Sequence, residues 1–90
     1  MGETTETRLK RLHMRSIRRG IKEMDLILTE FATRRLGDLD ATELDLYEAL
    51  LAENDHDLLS WVTGQTDAPE KYLPIVTLLT KDAHGLTKPG

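Results

Sequence analysis

Cysteine is absent from these 90 residues, so neither a disulfide framework nor a thiolate metal site holds the chain together, and apolar packing must do so. A reducing compartment fits that composition. No run approaches the roughly 18 apolar residues that span a bilayer, and Met1-Gly2-Glu3-Thr4-Thr5-Glu6 lacks the apolar stretch of a secretory signal. Glu6 stands where a myristoylation signal wants Ser or Thr, and Glu3 and Glu6 sit badly in an acid-poor transit peptide. The expectation is a chain that is not inserted in a membrane and works where it is made.

Catalytic parts are equally scarce. There is no P-loop, no glycine-rich dinucleotide turn and no histidine pair at metal-ligand spacing. His13, His56 and His84 lie far apart and read as surface or helix-end residues. Asp55-His56-Asp57 offers ligand types, yet acids in a first helical turn are favoured by the helix dipole without any ion. Ser16 and Ser60 have no acid–base partner at a recognisable spacing. Aromatic residues make up 4% of the chain, too few for a bundle that keeps a flavin of its own.

A 10.2 kDa chain is one domain. At this length folding buries roughly 60–65% of the extended surface, which leaves little interior for a cofactor cavity. The net charge of −4 hides a separation: residues 8–22 hold seven Lys and Arg and no acid, whereas residues 38–70 hold ten acids and no Lys or Arg. Such a split either steers a partner of mixed charge or lets one helix sit against another. Nucleic acid is not an expected partner, because the basic stripe carries no interleaved aromatics and the acids would repel a phosphate backbone.

Apolar spacing predicts helices only. Leu9, Leu12, Ser16 and Ile17 make one face of a helix over 5–19, with Arg8, Arg11, Arg15, Arg18 and Lys22 on the opposite stripe and Gly20 just past its end. Ile21, Met24, Ile27, Leu28, Phe31 and Ala32 give a second helix over 21–36, stopped by Gly37. Asp40 with Glu43 makes a capping box, Leu39 with Leu44 a hydrophobic staple, and the third helix runs to about Ala52. Asn54 caps a short fourth helix that carries Leu58, Leu59, Trp61 and Val62 and ends at Gly64. Pro74 kinks or splits the fifth, whose Leu73, Ile75, Val76, Leu78 and Leu79 belong to the core. The expected fold is all-α, a compact five-helix antiparallel bundle and a monomer, with residues 1–82 as a single helical domain and 83–90 as a disordered tail.

Arg19, Gly20 and Glu23 stand at the junction of the first two helices. A cap, a dipole partner and a first-turn acid account for all three, and an Arg19–Glu23 pair within one helix would add only about 0.3–0.5 kcal/mol. A bare backbone between a fork donor and a carboxylate also suits a partner that must approach closely. Physical chemistry alone leaves both readings open.

The run Arg18-Arg19-Gly20-Ile21-Lys22-Glu23-Met24-Asp25-Leu26-Ile27-Leu28 resembles the Arg-Gly-x-x-Glu (RGxxE) signature of the SdhE family, flavinylation factors of succinate dehydrogenase. The likeness continues through Phe31, Leu36 and Glu48-Ala49-Leu50-Leu51, and Asp55-His56-Asp57-Leu58-Leu59-Ser60-Trp61 resembles the family's Asp-x-Asp-Leu-x-x-Trp segment. It covers roughly residues 8–80, although relatives often carry an aromatic residue where this chain has Met14 or Ile17. The resemblance implies a five-helix assembly factor and chaperone, not an enzyme. It implies binding to the flavoprotein subunit of succinate dehydrogenase, and in bacteria of fumarate reductase, to promote covalent attachment of FAD. It implies further that the flavin 8α-methyl is joined to a histidine of the client, so that FAD would be the client's cofactor and none would be held stably here. Arg19, Gly20 and Glu23 would centre the partner contact, with Asp25, Arg15 and Arg18 beside them. The place of action would be the cytoplasm in a bacterium and the mitochondrial matrix in a eukaryote.

Overall fold

In a computed structural model that describes residues 2–87, with side chains up to residue 83, five α-helices are joined by short connections. They are α1 (Thr5–Ser16), α2 (Lys22–Arg35), α3 (Ala41–Leu51), α4 (Asp55–Val62) and α5 (Leu73–Thr87). Single 3-10 turns over Leu36–Asp38 and Glu70–Tyr72 complete the described residues, among which there is no strand. The molecule is the all-α bundle that the apolar spacing predicts. No helix among the described residues is long and apolar enough to cross a membrane.

Caps set most of the boundaries. Thr4 accepts from the Thr7 amide at 3.1 Å, and Asn54 accepts from the His56 amide at 2.8 Å. The capping box forms as expected, with Asp40 accepting from the Glu43 amide at 2.8 Å and Glu43 from the Asp40 amide at 2.9 Å. Gly64, at φ +81°, closes α4 in the left-handed region.

Of the two alternatives at Pro74, the structure has two pieces: a 3-10 turn over Glu70–Tyr72 precedes α5, and Pro74 falls in the first turn of α5, where no intrahelical N–H is needed. Two other expectations about α5 are corrected. Leu73 opens that helix 46% exposed, off the inward stripe that Ile75, Val76, Leu79 and Ala83 occupy. With Ala83 buried one turn beyond Leu79, α5 continues to Thr87, past the boundary expected at 82; residues 88–90 of the expected tail lie outside the described residues.

The core is one cluster. Met24, Ile27, Leu28 and Phe31 of α2 pack against Tyr47 and Leu50 of α3, Leu58 of α4, and Ile75 and Leu79 of α5, each at most 1% exposed. Burying such side chains contributes about 1.5–3 kcal/mol apiece and supplies most of the stability. Leu12 brings α1 into this cluster. Trp61 lies partly buried at its edge, with its ring 5.8 Å from that of Tyr72.

The charge separation is used inside the fold. Arg8 reaches Asp45 at 2.6 Å and Glu48 at 3.0 Å, and Arg11 reaches Glu48 at 2.9 Å and also Glu3. These two arginines therefore tie α1 to α3; they do not form a free basic face. Arg11 first, then Arg8, hold the Glu48 carboxyl below its ordinary value of 4.5.

Candidate functional site

Helix α1 stops at Ser16, three residues short of the expected end, because two side chains fix the chain there. Ser16 Oγ donates to the Leu12 carbonyl at 2.8 Å and lies 2.6 Å from the Tyr47 hydroxyl, all of it buried. Ile17 is then extended, and Arg18 takes a left-handed φ of 58°, which costs a non-glycine residue on the order of 1 kcal/mol. Asp25 Oδ1 holds that strained turn, accepting the Arg18 amide at 2.9 Å and the Thr29 hydroxyl at 3.2 Å. Left-handed backbone thus falls at Arg18, and Gly20 is not the helix cap that its sequence position suggests.

Residues 17–21 form the linker between α1 and α2, and Arg19 is its anchor. Arg19 Nε donates to Asp55 Oδ1 at 2.8 Å, Nη1 to the Arg15 carbonyl at 3.1 Å, and Nη2 to the Leu51 carbonyl at 3.1 Å. Nη2 also lies 2.8 Å from Asp55 Oδ1, and the two side chains are 13% and 19% exposed. All three guanidinium nitrogens are engaged within the chain. Asp55 Oδ2 in turn accepts the Gly20 amide at 2.9 Å. A Cβ on Gly20 would stand 3.2 Å from that oxygen, a contact that forces the neighbour to give by a few tenths of an ångström.

All six residues expected at the site are gathered at this junction, in three different roles. Arg15, through its carbonyl, Arg19 and Gly20 belong to the Asp55 network. Arg18 and Asp25 form a second tie on the α2 side, where the Arg18 side chain is exposed and no partner of it is found. Glu23, in the first turn of α2, is exposed and its side chain makes no hydrogen bond or ion pair among the described residues, so the Arg19–Glu23 pair considered above is not formed. One turn on, Leu26 lies on the same side of α2 and is 51% exposed. The junction therefore presents a bare backbone, an unpaired carboxylate and an apolar side chain to solvent.

Asp55 is the residue that sequence reasoning missed, having assigned it to the first turn of α4. A signal existed: residues 8–22 hold seven Lys and Arg and no acid while residues 38–70 hold ten acids and no base, so charges segregated in this way must pair over long range or face solvent. With its carboxylate committed to Arg19 and Gly20, Asp55 is not presented as a metal ligand. Among the described residues no group of three or more His, Asp and Glu stands close enough to hold a metal ion. A concavity of about 610 Å³ lies at the far end of α2, between Arg34, Leu39, Leu78 and Lys81, and contains none of the six residues.

Comparison with known proteins agrees with the motif. Residues 10–83 match the family described as Sdh5, flavinator of succinate dehydrogenase. Succinate dehydrogenase assembly factor 2, mitochondrial, of Meyerozyma guilliermondii is 41% identical over 87 residues, covering 91% of this chain and 64% of the relative. The protein of the same name in Scheffersomyces stipitis is 40% identical over 87 residues, covering 91% and 58%. That of Schizosaccharomyces pombe is 41% identical over 70 residues, covering 78% and 50%. This chain spans between half and two thirds of the length of these relatives. With the signature intact at residues 19–23 and most of the chain matched, it belongs to the family of flavinators of succinate dehydrogenase.

Proposed function

We propose that this chain binds the flavoprotein subunit of succinate dehydrogenase and promotes covalent attachment of FAD to it, without contributing a catalytic side chain. The observation that carries this reading is the hydrogen-bonded α1–α2 junction, which offers Gly20 and a Glu23 side chain with no partner among the described residues, within a family of flavinators. Arg19 and Asp25 are occupied within the junction, which suits a docking surface better than an acid–base site. Holding a client's histidine and flavin methyl in register can lower a barrier by several kcal/mol through proximity and orientation alone. FAD then remains the client's cofactor. The fumarate reductase flavoprotein is a second client in a bacterial setting. The relatives named above are mitochondrial by name, so in a eukaryotic cell the place of action is the matrix, and in a bacterium the cytoplasm.

Calorimetric titration of the purified chain into the isolated flavoprotein subunit tests the reading. A saturable complex that weakens at least about tenfold in Glu23→Ala, with unchanged helical circular dichroism, is expected for an exposed hot-spot carboxylate. Failure of the wild-type chain to bind would refute it. Binding to duplex DNA that falls steeply with salt would move the chain to another class altogether.

A further inference from the structure

We infer that Asp55 is a positioning residue of the partner-binding face, and that Arg19 and Gly20 serve that face through Asp55 while Glu23 meets the partner. The inference rests on the partner reading above and adds a residue and a division of labour to it. One carboxylate fixes two consecutive linker residues, Oδ1 taking the Arg19 guanidinium at 2.8 Å and Oδ2 the Gly20 amide at 2.9 Å. Through Arg19 the same network includes the carbonyls of Arg15 and Leu51, so the linker is tied to α1, α3 and α4 at once. The Arg18 turn is held independently from Asp25, and a strained φ of this kind persists only where its surroundings over-determine it.

Three consequences follow for the signature residues. Arg19, 13% exposed with every nitrogen engaged within the chain, is turned inward, so its service is internal. A Cβ on Gly20 would stand 3.2 Å from Asp55 Oδ2 and press on the clamp, whatever a partner requires in addition. Glu23, exposed and unpaired, is the one of the three left to make contact. The two segments that carry the family resemblance, 36 residues apart at Arg19 and Asp55, are thereby a single structural unit. An untied linker of five residues would have to be ordered on binding, and the clamp removes that cost beforehand.

A double-mutant cycle on the full chain separates an internal arginine from a contacting one. Arg19→Ala, Asp55→Ala and the double variant are titrated against the purified flavoprotein subunit at a temperature where circular dichroism shows each to be folded. Each single change should weaken binding about tenfold, and the pair should weaken it no more than about threefold beyond the worse single, because both remove one clamp. Adding Glu23→Ala to either should multiply the losses. Multiplying losses for Arg19 and Asp55, about a hundredfold together, would overturn the inference and place Arg19 against the partner. Wild-type affinity in Asp55→Ala would overturn it as well.

Hydrogen exchange at the Gly20 amide of the free chain reads the clamp without any partner. Protection is expected in the wild type and lost in Asp55→Ala while the α2 and α5 amides stay protected; equal protection in the variant would overturn the clamp. If the wild-type chain fails to bind the flavoprotein subunit, the partner reading and the clamp's service to it both fall, and exchange still decides whether Asp55 holds the linker.

Discussion

Tyr47 is 0% exposed, and its hydroxyl lies 2.6 Å from Ser16 Oγ. Ser16 spends its single proton on the Leu12 carbonyl, so Tyr47 must be the donor of the pair. Ionising Tyr47 would remove that proton and leave a phenolate facing serine lone pairs in an apolar core. Burial accordingly pushes the phenol from 10.0 up to about 12. With the folded value raised, the stabilisation is present in full below the unfolded value near 10 and is lost as pH rises from about 10 to about 12. Two units amount to about 3 kcal/mol, a large part of the roughly 5–13 kcal/mol expected for a domain of this size. Tyr72 is also pushed up to about 12, by burial and then by Glu53, but its hydroxyl meets a half-buried carboxylate at 2.7 Å and weighs less. The chain has only these two tyrosines, so phenolate absorbance at 295 nm can be followed against far-ultraviolet circular dichroism in the wild type and in Tyr72→Phe. Ionisation and loss of helix should coincide above about pH 11. A phenolate transition near pH 10 with the helix signal intact would refute the burial of Tyr47 and with it the tie between α1 and α3.

Ser16→Ala should destabilise by about 1–3 kcal/mol, leaving the Tyr47 hydroxyl buried without an acceptor, and Tyr47→Phe added to it should recover part of that loss in urea titrations. Glu48→Ala should lower the melting midpoint by about 4–8 °C at low salt, with the difference shrinking in 1 M sodium chloride. Because Arg11 and Arg8 depress the Glu48 carboxyl, its contribution is present above the ordinary value of 4.5 and is lost as pH falls through its lower folded value, so acid should erase the difference between wild type and variant. Asp40→Ala should cost about 1 kcal/mol by removing the capping box of α3, with Asp40→Asn milder, as read by thermal melts.

The bundle was legible wherever local chemistry decides local structure. The Asp40 and Asn54 caps, the Gly64 stop and the inward positions of α2 and α3 follow from spacing, and the structure places them as that spacing requires. What was not legible depends on partners distant in sequence. The end of α1 is set by Tyr47, 31 residues away, so extending the apolar rhythm of residues 9–17 carried the helix too far. Gly20 resembled a cap because it follows a basic turn, whereas Asp25 lets Arg18 take the left-handed position. All six residues expected at the site do cluster, but the division between tied and free among them depends on Asp55, which local rules assign to a helix start. The long-range charge pairing was visible only as a choice, which Arg8, Arg11 and Arg19 resolve inward.

On the function proposed above, the α1–α2 junction enables covalent flavin attachment to a client. In-gel flavin fluorescence of the denatured flavoprotein subunit, produced with no helper, with this chain and with its Glu23→Ala variant, measures it directly, because only covalent flavin survives denaturation. A fluorescent band that rises with the intact chain and falls back with the folded variant is the predicted result. Equal fluorescence in every lane, with free FAD in excess, would contradict it.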